Sequence, residues 1–183
     1  MEKAGLRADA RRNRARVLAA AEQAFAADGL AVPLDEIART AGVGAGTVYR
    51  HFPSKEALFQ AVVLECLEKY ALEAEELLTA EDPGETFFDY FKRVIKQASL
   101  NRAICETLGE STSYKAAVSE RFRAALEALL ARAQEAGQVR RDISADDLRA
   151  LIVGSLAAER YSPGSGHLIR VIIDGLRPAR SVH

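Results

Sequence analysis

The sequence predicts an all-α protein, and three observations support this fold class. Glycine and proline are sparse, with 12 and 5 copies in 183 residues, while alanine, leucine, glutamate and arginine dominate. Apolar residues recur at spacings of three and four along most of the chain. No stretch carries a strand signal. The 49% hydrophobic content is enough for a substantial core in one large or two small domains.

The first predicted helix follows a charged arm. Residues 1–9 are weakly patterned, and we expect them to be disordered or frayed in the free protein. The helix is predicted over Ala10–Ala27, and Asp28-Gly29 ends it. Its first turns contain a cluster of four arginines, Arg11, Arg12, Arg14 and Arg16. Positive charge at a helix N-terminus opposes the helix dipole, so this cluster does not serve local stability.

Two short helices joined by a tight turn are predicted next, over Leu34–Ala41 and Ala45–Phe52. Apolar residues at helical spacing give the first of them a buried face, which consists of Leu34, Ile37, Ala38 and Ala41. Gly42 directly follows the last of these residues and can take the left-handed conformation that closes a helix. This arrangement is a helix-turn-helix.

The second short helix has an apolar side and a polar side. Val48 and Phe52 are predicted to point inward, whereas four side chains remain largely outside: Thr47, Tyr49, Arg50 and His51. Small residues at its start let backbone amides approach a phosphate closely. Arg50 and His51 are long enough to reach base edges in a major groove. Any one of these residues alone is more typical of an ordinary solvated helix, but their combination in one register favours DNA recognition.

The motif resembles the DNA-binding domain of the tetracycline-repressor-like (TetR) transcription regulators of bacteria. Members of that family typically show IA..AGV, a small residue with Gly-Thr, and then Y.HF..K..L. The corresponding residues here are Ile37-Ala38, Ala41-Gly42-Val43, Gly46-Thr47, Tyr49, His51-Phe52, Lys55 and Leu58. Two positions depart from the family pattern, because Pro33 and Gly44 stand where hydroxyl residues often cap the two motif helices. Both are tolerated at helix starts, but a hydroxyl contact to phosphate is lost at each.

The resemblance implies which residues face DNA. These are Ala45, Gly46, Thr47, Tyr49, Arg50 and His51, with Lys55 on a phosphate at the start of the next helix. The arginines of the first helix form either a solvated face or a contact surface for the DNA backbone or minor groove. N-terminal extensions make such DNA contacts in this family, and Arg12 and Arg14 are the candidates here. Residues 1–55 contain nine basic and six acidic side chains, although the whole chain has a net charge of −1. A basic head on an acidic body is typical of a DNA-reading domain joined to a different domain.

A long helix is predicted to connect the two domains. Ser54 is its expected N-cap, and apolar periodicity continues to about Thr79. We place the domain boundary within this helix, which gives a DNA-binding domain at residues 1–65 and a regulatory and dimerisation domain at 66–183. The turn at residues 82–85 starts the next helices. Their aromatic and small side chains are mostly core, but could line a ligand pocket, for which the candidates are Phe87, Phe91, Cys105, Leu108 and Phe122.

The last two predicted helices carry more apolar surface than one small chain can bury. The final helix is apolar on nearly every side, so a second chain is expected to cover part of it. The family resemblance implies the same, a four-helix interface between two copies. The candidate interface residues are Leu148, Leu151, Ile152, Leu156, Leu168, Val171, Ile172 and Leu176.

Other classes of function have less support. The chain has three histidines, all far apart, and none of the common nucleophile, phosphate-loop or metalloprotease motifs, so we do not expect an enzyme. Cys66 and Cys105 have no metal-ligand spacing, so neither a metal nor another cofactor is predicted, only a small-molecule effector. A helical protein-interaction module is the runner-up. This alternative explains the apolar last helix but does not explain the exposed polar residues Arg50 and His51. No membrane or export segment is evident, and we expect a cytoplasmic homodimer that binds double-stranded DNA.

Overall fold

A computed structural model describes residues 2–100, 113–159 and 166–179. Over these residues the chain forms eight α-helices, one short 3-10 helix at Gly29–Ala31, and no strand, which confirms the all-α prediction. The helices are α1 (Glu2–Asp28), α2 (Leu34–Ala41), α3 (Ala45–His51), α4 (Lys55–Leu77), α5 (Pro83–Leu100), α6 (Ser113–Glu135), α7 (Ala145–Glu159) and α8 (His167–Leu176). None of these helices is both long and apolar enough to cross a membrane.

The chain divides into two compact units, and the division falls inside α4. The N-terminal unit contains residues 2–65 together with Leu100, and the C-terminal unit contains residues 66–99 and the described residues from Ser113 onward. In the N-terminal unit α1 packs against α2 and α3 around fully buried side chains, among them Val17, Ile37 and Val48. The Phe25 and Phe59 rings meet edge to face, with centroids 5.3 Å apart, and so join α1 to the first turns of α4.

The turn of the helix-turn-helix has the predicted left-handed glycine. Gly42 has φ 63° and ψ 38°. The backbone N–H of Val43 donates to the Ala38 carbonyl at 3.0 Å, which satisfies an end carbonyl of α2. Since only glycine adopts this conformation without steric strain, the sequence AGVG fixes where α2 ends and how soon α3 begins.

The first helix begins earlier than predicted. The arm at residues 1–9 was expected to be disordered or frayed, but α1 begins at Glu2 and runs without a break to Asp28. Residues 2–9 contain no proline and most of them are good helix formers, so the helix can extend past Asp9 towards the N-terminus.

The core of the C-terminal unit is aromatic where α5 meets its neighbours. The Phe87 and Phe91 rings are stacked, with centroids 5.8 Å apart and planes 9° apart, and neither is exposed. Tyr90 is also fully buried, and its hydroxyl donates to the Tyr70 carbonyl of α4 at 2.8 Å. Burial raises the pKa of this hydroxyl far above its ordinary value and so favours its protonated, donating form.

Polar contacts attach the second half of α4 to α6. Arg121 donates Nη1 to Glu68 Oε1 at 2.8 Å and makes a two-point contact with Glu75 at 2.9 and 2.8 Å. Arg132 Nη2 donates to the Ala80 carbonyl at 3.0 Å, just beyond the end of α4. A two-point guanidinium contact has a fixed geometry, so it sets the register of α4 on α6.

Three candidate interface residues belong to the core of the chain itself. Leu148, Ile152 and Leu176 were predicted to face a second copy, but they are 0%, 7% and 3% exposed. This corrects the expectation, because a side chain enclosed by its own chain offers no surface to a partner. The apolar surface of α7 and α8 lies instead at Val153 and Val171, which are 48% and 52% exposed, and at the half-buried Leu151, Leu168 and Ile172. The side chain of Leu156 lies outside the described residues.

Polar side chains cap the first turns of two helices of the C-terminal unit. Ser144 caps α7, since its Oγ accepts the Asp147 backbone N–H at 3.2 Å while Asp147 Oδ2 accepts the Ser144 N–H at 2.8 Å. At α5, Asp82 Oδ1 accepts the Glu85 backbone N–H at 2.9 Å and the Gln138 side-chain amide at 3.2 Å. These two hydrogen bonds hold the pKa of Asp82 below its ordinary value, and the bond from the Glu85 N–H has the larger effect.

We expect Asp82 to make the stability of the protein fall in acid. A carboxyl whose pKa is lower in the folded state stabilises the fold above its unfolded pKa, near 3.8, and this contribution is lost as the pH falls through the folded value. Urea unfolding between about pH 6 and pH 3 should therefore show a smaller loss of stability for Asp82→Asn than for the wild type. Glu81→Gln, which removes the same charge next to Asp82, is the control. Parallel profiles for Asp82→Asn and the wild type would contradict this assignment.

Candidate nucleic-acid interface

The outer face of α3 is the candidate surface for DNA. Val48 and Phe52 are 0% and 3% exposed and anchor the helix to the core of the N-terminal unit. Ala45, Gly46, Tyr49 and Arg50 are exposed, and Thr47 and His51 are half-buried. The structure therefore brings all six predicted contact residues onto one short helix with its inner side fixed. Whether they touch DNA stays a prediction.

The start of α3 is open and made of small residues. Its N-cap is Gly44, so no side chain caps the helix, and the Thr47 N–H donates to the Gly44 carbonyl at 2.8 Å. A Cβ added at Gly44 or Gly46 would meet no atom within 4 Å, so nothing in the described chain shields this end. The first amides of a helix have no acceptor within it, and an unshielded end can offer them to a phosphate oxygen.

Tyr49 and Arg50 have no polar partner among the described residues. Tyr49 is 50% exposed, which is unusual for so large a side chain. Arg50 is exposed on the last turn of α3, and neither residue makes a hydrogen bond or ion pair with the part of the chain that the structure describes. A guanidinium that is not used within the protein can make two parallel hydrogen bonds to guanine O6 and N7.

Lys55 lies beside α3 and already has one partner. Its ammonium donates to the Leu30 carbonyl in the link before α2, at 2.8 Å. This contact spans 25 residues and leaves no periodic signal in the sequence. An ammonium has three donors, so two remain for a phosphate. Lys55 therefore joins α4 to the α1–α2 link, and its contact with DNA stays a prediction.

The arginines of α1 have different surroundings. Arg12 is exposed and forms an ion pair with Asp9 on the same helix. The Arg14 guanidinium carbon lies 5.6 Å from the centroid of the Phe52 ring, within the range of a cation–π interaction. Arg16, which was not a predicted site residue, donates Nη2 to the Gly42 carbonyl at 3.2 Å. Contacts across 26 residues leave no spacing signal, so sequence alone could not find this last one.

The candidate effector residues lie in the packed core of the C-terminal unit. Phe87 and Phe91 are not exposed and Phe122 is 6% exposed, while Cys105 and Leu108 lie outside the described residues. The ring of Phe122 lies 6.2 Å from that of Tyr70. A cavity of about 610 Å³ lies elsewhere in this unit, and Asp82, Glu85, Phe88, Gln138 and Arg177 are among the residues that line it. The prediction of a ligand among the phenylalanines stays open.

In comparison with known proteins, both units match bacterial transcriptional regulators. Residues 17–62 match a family model for bacterial regulatory proteins of the tetR family, and residues 82–178 match one for the C-terminal domain of SbtR-like transcriptional regulators. A TetR transcription regulatory protein from Mycobacterium vanbaalenii is 45% identical, with 94% of this chain and 99% of that chain covered and a TM-score of 0.70. The regulator SCO0520 from Streptomyces coelicolor is 31% identical, with 91% and 99% covered and a TM-score of 0.70.

A curated relative matches over about a third of the chain. The HTH-type transcriptional regulator UidR of Escherichia coli strain K12 is 35% identical over 65 residues. This match covers 35% of the present chain and 33% of UidR. The two solved structures, in contrast, are covered almost from end to end.

Proposed function

The chain belongs to the TetR family of bacterial transcriptional regulators, and we propose that it is a repressor that binds a pseudo-palindromic operator as a homodimer and is released by a small-molecule effector. The outer face of α3 carries this proposal, since it combines an exposed Arg50 and Tyr49 with an inner side fixed by Val48 and Phe52. Residues 1–65 act as the DNA-binding domain and residues 66–183 as the regulatory domain, in the cytoplasm, where the DNA is accessible.

The homodimer follows from the apolar surface of the last two helices. Val153 on α7 and Val171 on α8 are about half exposed, and exposed aliphatic side chains favour burial against a second copy of the same surface. A two-fold dimer presents two copies of α3 to two half-sites about 34 Å, or a multiple of this, apart. Such a protein reads an inverted repeat, because each half-site meets the same residues.

Release by an effector requires two arrangements of the DNA-binding domains. A ligand shifts the equilibrium only if it binds the DNA-incompetent arrangement more tightly. α4 begins at Lys55 beside the candidate DNA surface and ends at Leu77 among the residues of the C-terminal unit, so a shift of this helix would connect the two sites. The aromatic cluster of α5 suits an apolar or aromatic effector.

Selection of DNA tests the proposal most directly. Random duplexes are selected on the purified protein, and the best sequence is then titrated with salt against a scrambled competitor. We expect an enriched inverted repeat. The double variant Arg50→Ala/His51→Ala, which keeps the buried Val48 and Phe52, should give no enrichment. Weak, salt-sensitive binding without enrichment by the wild type would reject the proposal and favour the protein-interaction module.

Lys55→Ala should weaken binding to all DNA sequences alike. The lysine is expected to contact phosphate, which carries no sequence information. The slope of log K against log salt concentration should become shallower by about 1, with the ratio of specific to scrambled affinity unchanged. Fluorescence anisotropy at five salt concentrations measures both quantities. An unchanged slope would limit Lys55 to its contact with the Leu30 carbonyl.

Val171→Glu should weaken the dimer. It places a carboxylate in an apolar surface and, close to a two-fold axis, brings two like charges together, so the dimer dissociation constant should rise by about tenfold or more. Ala124→Glu adds the same charge at an exposed position of α6 and is the control. Sedimentation equilibrium measures the constant, and equal values for the two variants would remove α8 from the interface.

A further inference from the structure

Two arginines of α1 contact the two ends of the recognition helix α3. Arg16 Nη2 donates to the carbonyl of Gly42, which lies in the turn before α3, at 3.2 Å. Arg14 lies over the ring of Phe52, the residue that directly follows α3, with 5.6 Å between the guanidinium carbon and the ring centroid. One contact is therefore made on each side of a seven-residue helix.

Such a short helix depends on its flanks for its orientation. Two turns are too few to be stable in water without tertiary contacts. Gly44 supplies no side-chain cap, and Val48 is the one fully enclosed side chain within α3. Val48 and the adjacent Phe52 hold the inner side of the second half of the helix, so a contact before its first turn and a contact on Phe52 further restrict its angle.

Two properties of Gly42 allow its contact with Arg16. Its left-handed φ of 63° turns the chain, and the absence of a Cβ leaves room for the guanidinium, because a Cβ built there would lie 2.4 Å from Arg16 Nη2. The Gly42 carbonyl follows the last turn of α2 and accepts a hydrogen bond from Arg16. The guanidinium thereby occupies the turn that links α2 to α3.

We propose that Arg14 and Arg16 are positioning residues that set the angle of α3 and thereby the base preference of the protein. This inference rests on the proposed function, in which α3 reads the DNA. It gives Arg14 a different role from the direct DNA contact that the sequence suggested. Arg12, which is exposed and pairs with Asp9 on its own helix, is still expected to contact phosphate.

Hydrogen exchange of the free protein tests the positioning role without DNA. The amides of residues 47–52 should exchange about twofold to tenfold faster in Arg16→Met and in Arg14→Met, because each variant keeps the aliphatic stem and loses the charged contact. Arg16→Lys and Arg14→Lys retain a cation and should restore most of the protection. Arg12→Met removes the same charge from the same helix and should leave the exchange of these amides unchanged. Unchanged exchange in both Arg14→Met and Arg16→Met would overturn the proposal.

DNA binding then separates positioning from phosphate contact. Positioning predicts that Arg14→Met and Arg16→Met lower the ratio of specific to scrambled affinity and keep the wild-type salt slope, whereas a phosphate contact predicts a slope shallower by about 1 and an unchanged ratio. Arg12→Met should show the second behaviour. A shallower slope with an unchanged ratio for Arg14 and Arg16 would overturn the proposal. Failure of the wild type to select any DNA sequence would reject the proposed function, whereas the exchange result would still report how α3 is held.

Discussion

Arg50→Ala should weaken binding to the selected operator by about 1–3 kcal/mol, or roughly fivefold to 150-fold, and should relax the preference for one base pair in each half-site. The side chain is exposed at the end of α3 and has no partner in the described part of the chain, so its removal leaves the fold intact. The loss therefore reports the contact with DNA. Competition binding against operators changed one base pair at a time measures both effects.

Two further variants make the Arg50 experiment specific. Arg50→Lys keeps the charge but not the planar pair of donors, so it should retain binding to scrambled DNA and lose much of the base preference. Arg39→Ala removes an exposed arginine of α2 that pairs with Glu36 at 3.5 Å, and it controls for the general loss of positive charge. An equal loss on every sequence for Arg50→Ala would make Arg50 a phosphate contact.

The helix-turn-helix could be predicted from sequence because its signals are local. Gly42 ends α2, Ser54 caps α4 through the Ala57 N–H at 3.1 Å, and the apolar residues between them fall on one face. Each of these features depends on residues within one or two turns of helix. The contacts that fix the motif in three dimensions, Arg16 with Gly42 and Lys55 with Leu30, link residues about 25 positions apart and carry no periodic signal.

The sequence also did not predict which apolar side chains of α7 and α8 lie in the core and which remain exposed to a partner. Leu148 and Val153 lie on the same helix and are equally apolar, yet Leu148 is fully buried and Val153 is 48% exposed. Periodicity shows that α7 and α8 have apolar faces, but it does not show which face the chain itself covers. This depends on how α6, α7 and α8 cross, and it is the reason that three predicted interface residues belong to the core.

The second large effect is expected in the aromatic core of the C-terminal unit. Phe91→Ala should lower the free energy of unfolding by about 3–5 kcal/mol, because the Phe91 ring is fully buried and stacked on Phe87, and its removal leaves a cavity. Urea unfolding followed by circular dichroism measures the change. Leu72→Ala is the control, since Leu72 is 44% exposed on α4 and its truncation opens no cavity.

The size of the Phe91 effect also tests the ligand prediction. A side chain that borders a space already open for an effector loses fewer contacts on truncation than one packed on all sides, because the penalty grows with the volume of the new cavity. A loss of about 1 kcal/mol would therefore indicate that Phe91 lines a pre-existing pocket. A loss in the expected range places it in solid core, and the effector would then bind elsewhere in the C-terminal unit. If the variant also gains affinity for a small aromatic compound, the new cavity itself is the binding site, as apolar cavities of this kind accept apolar ligands.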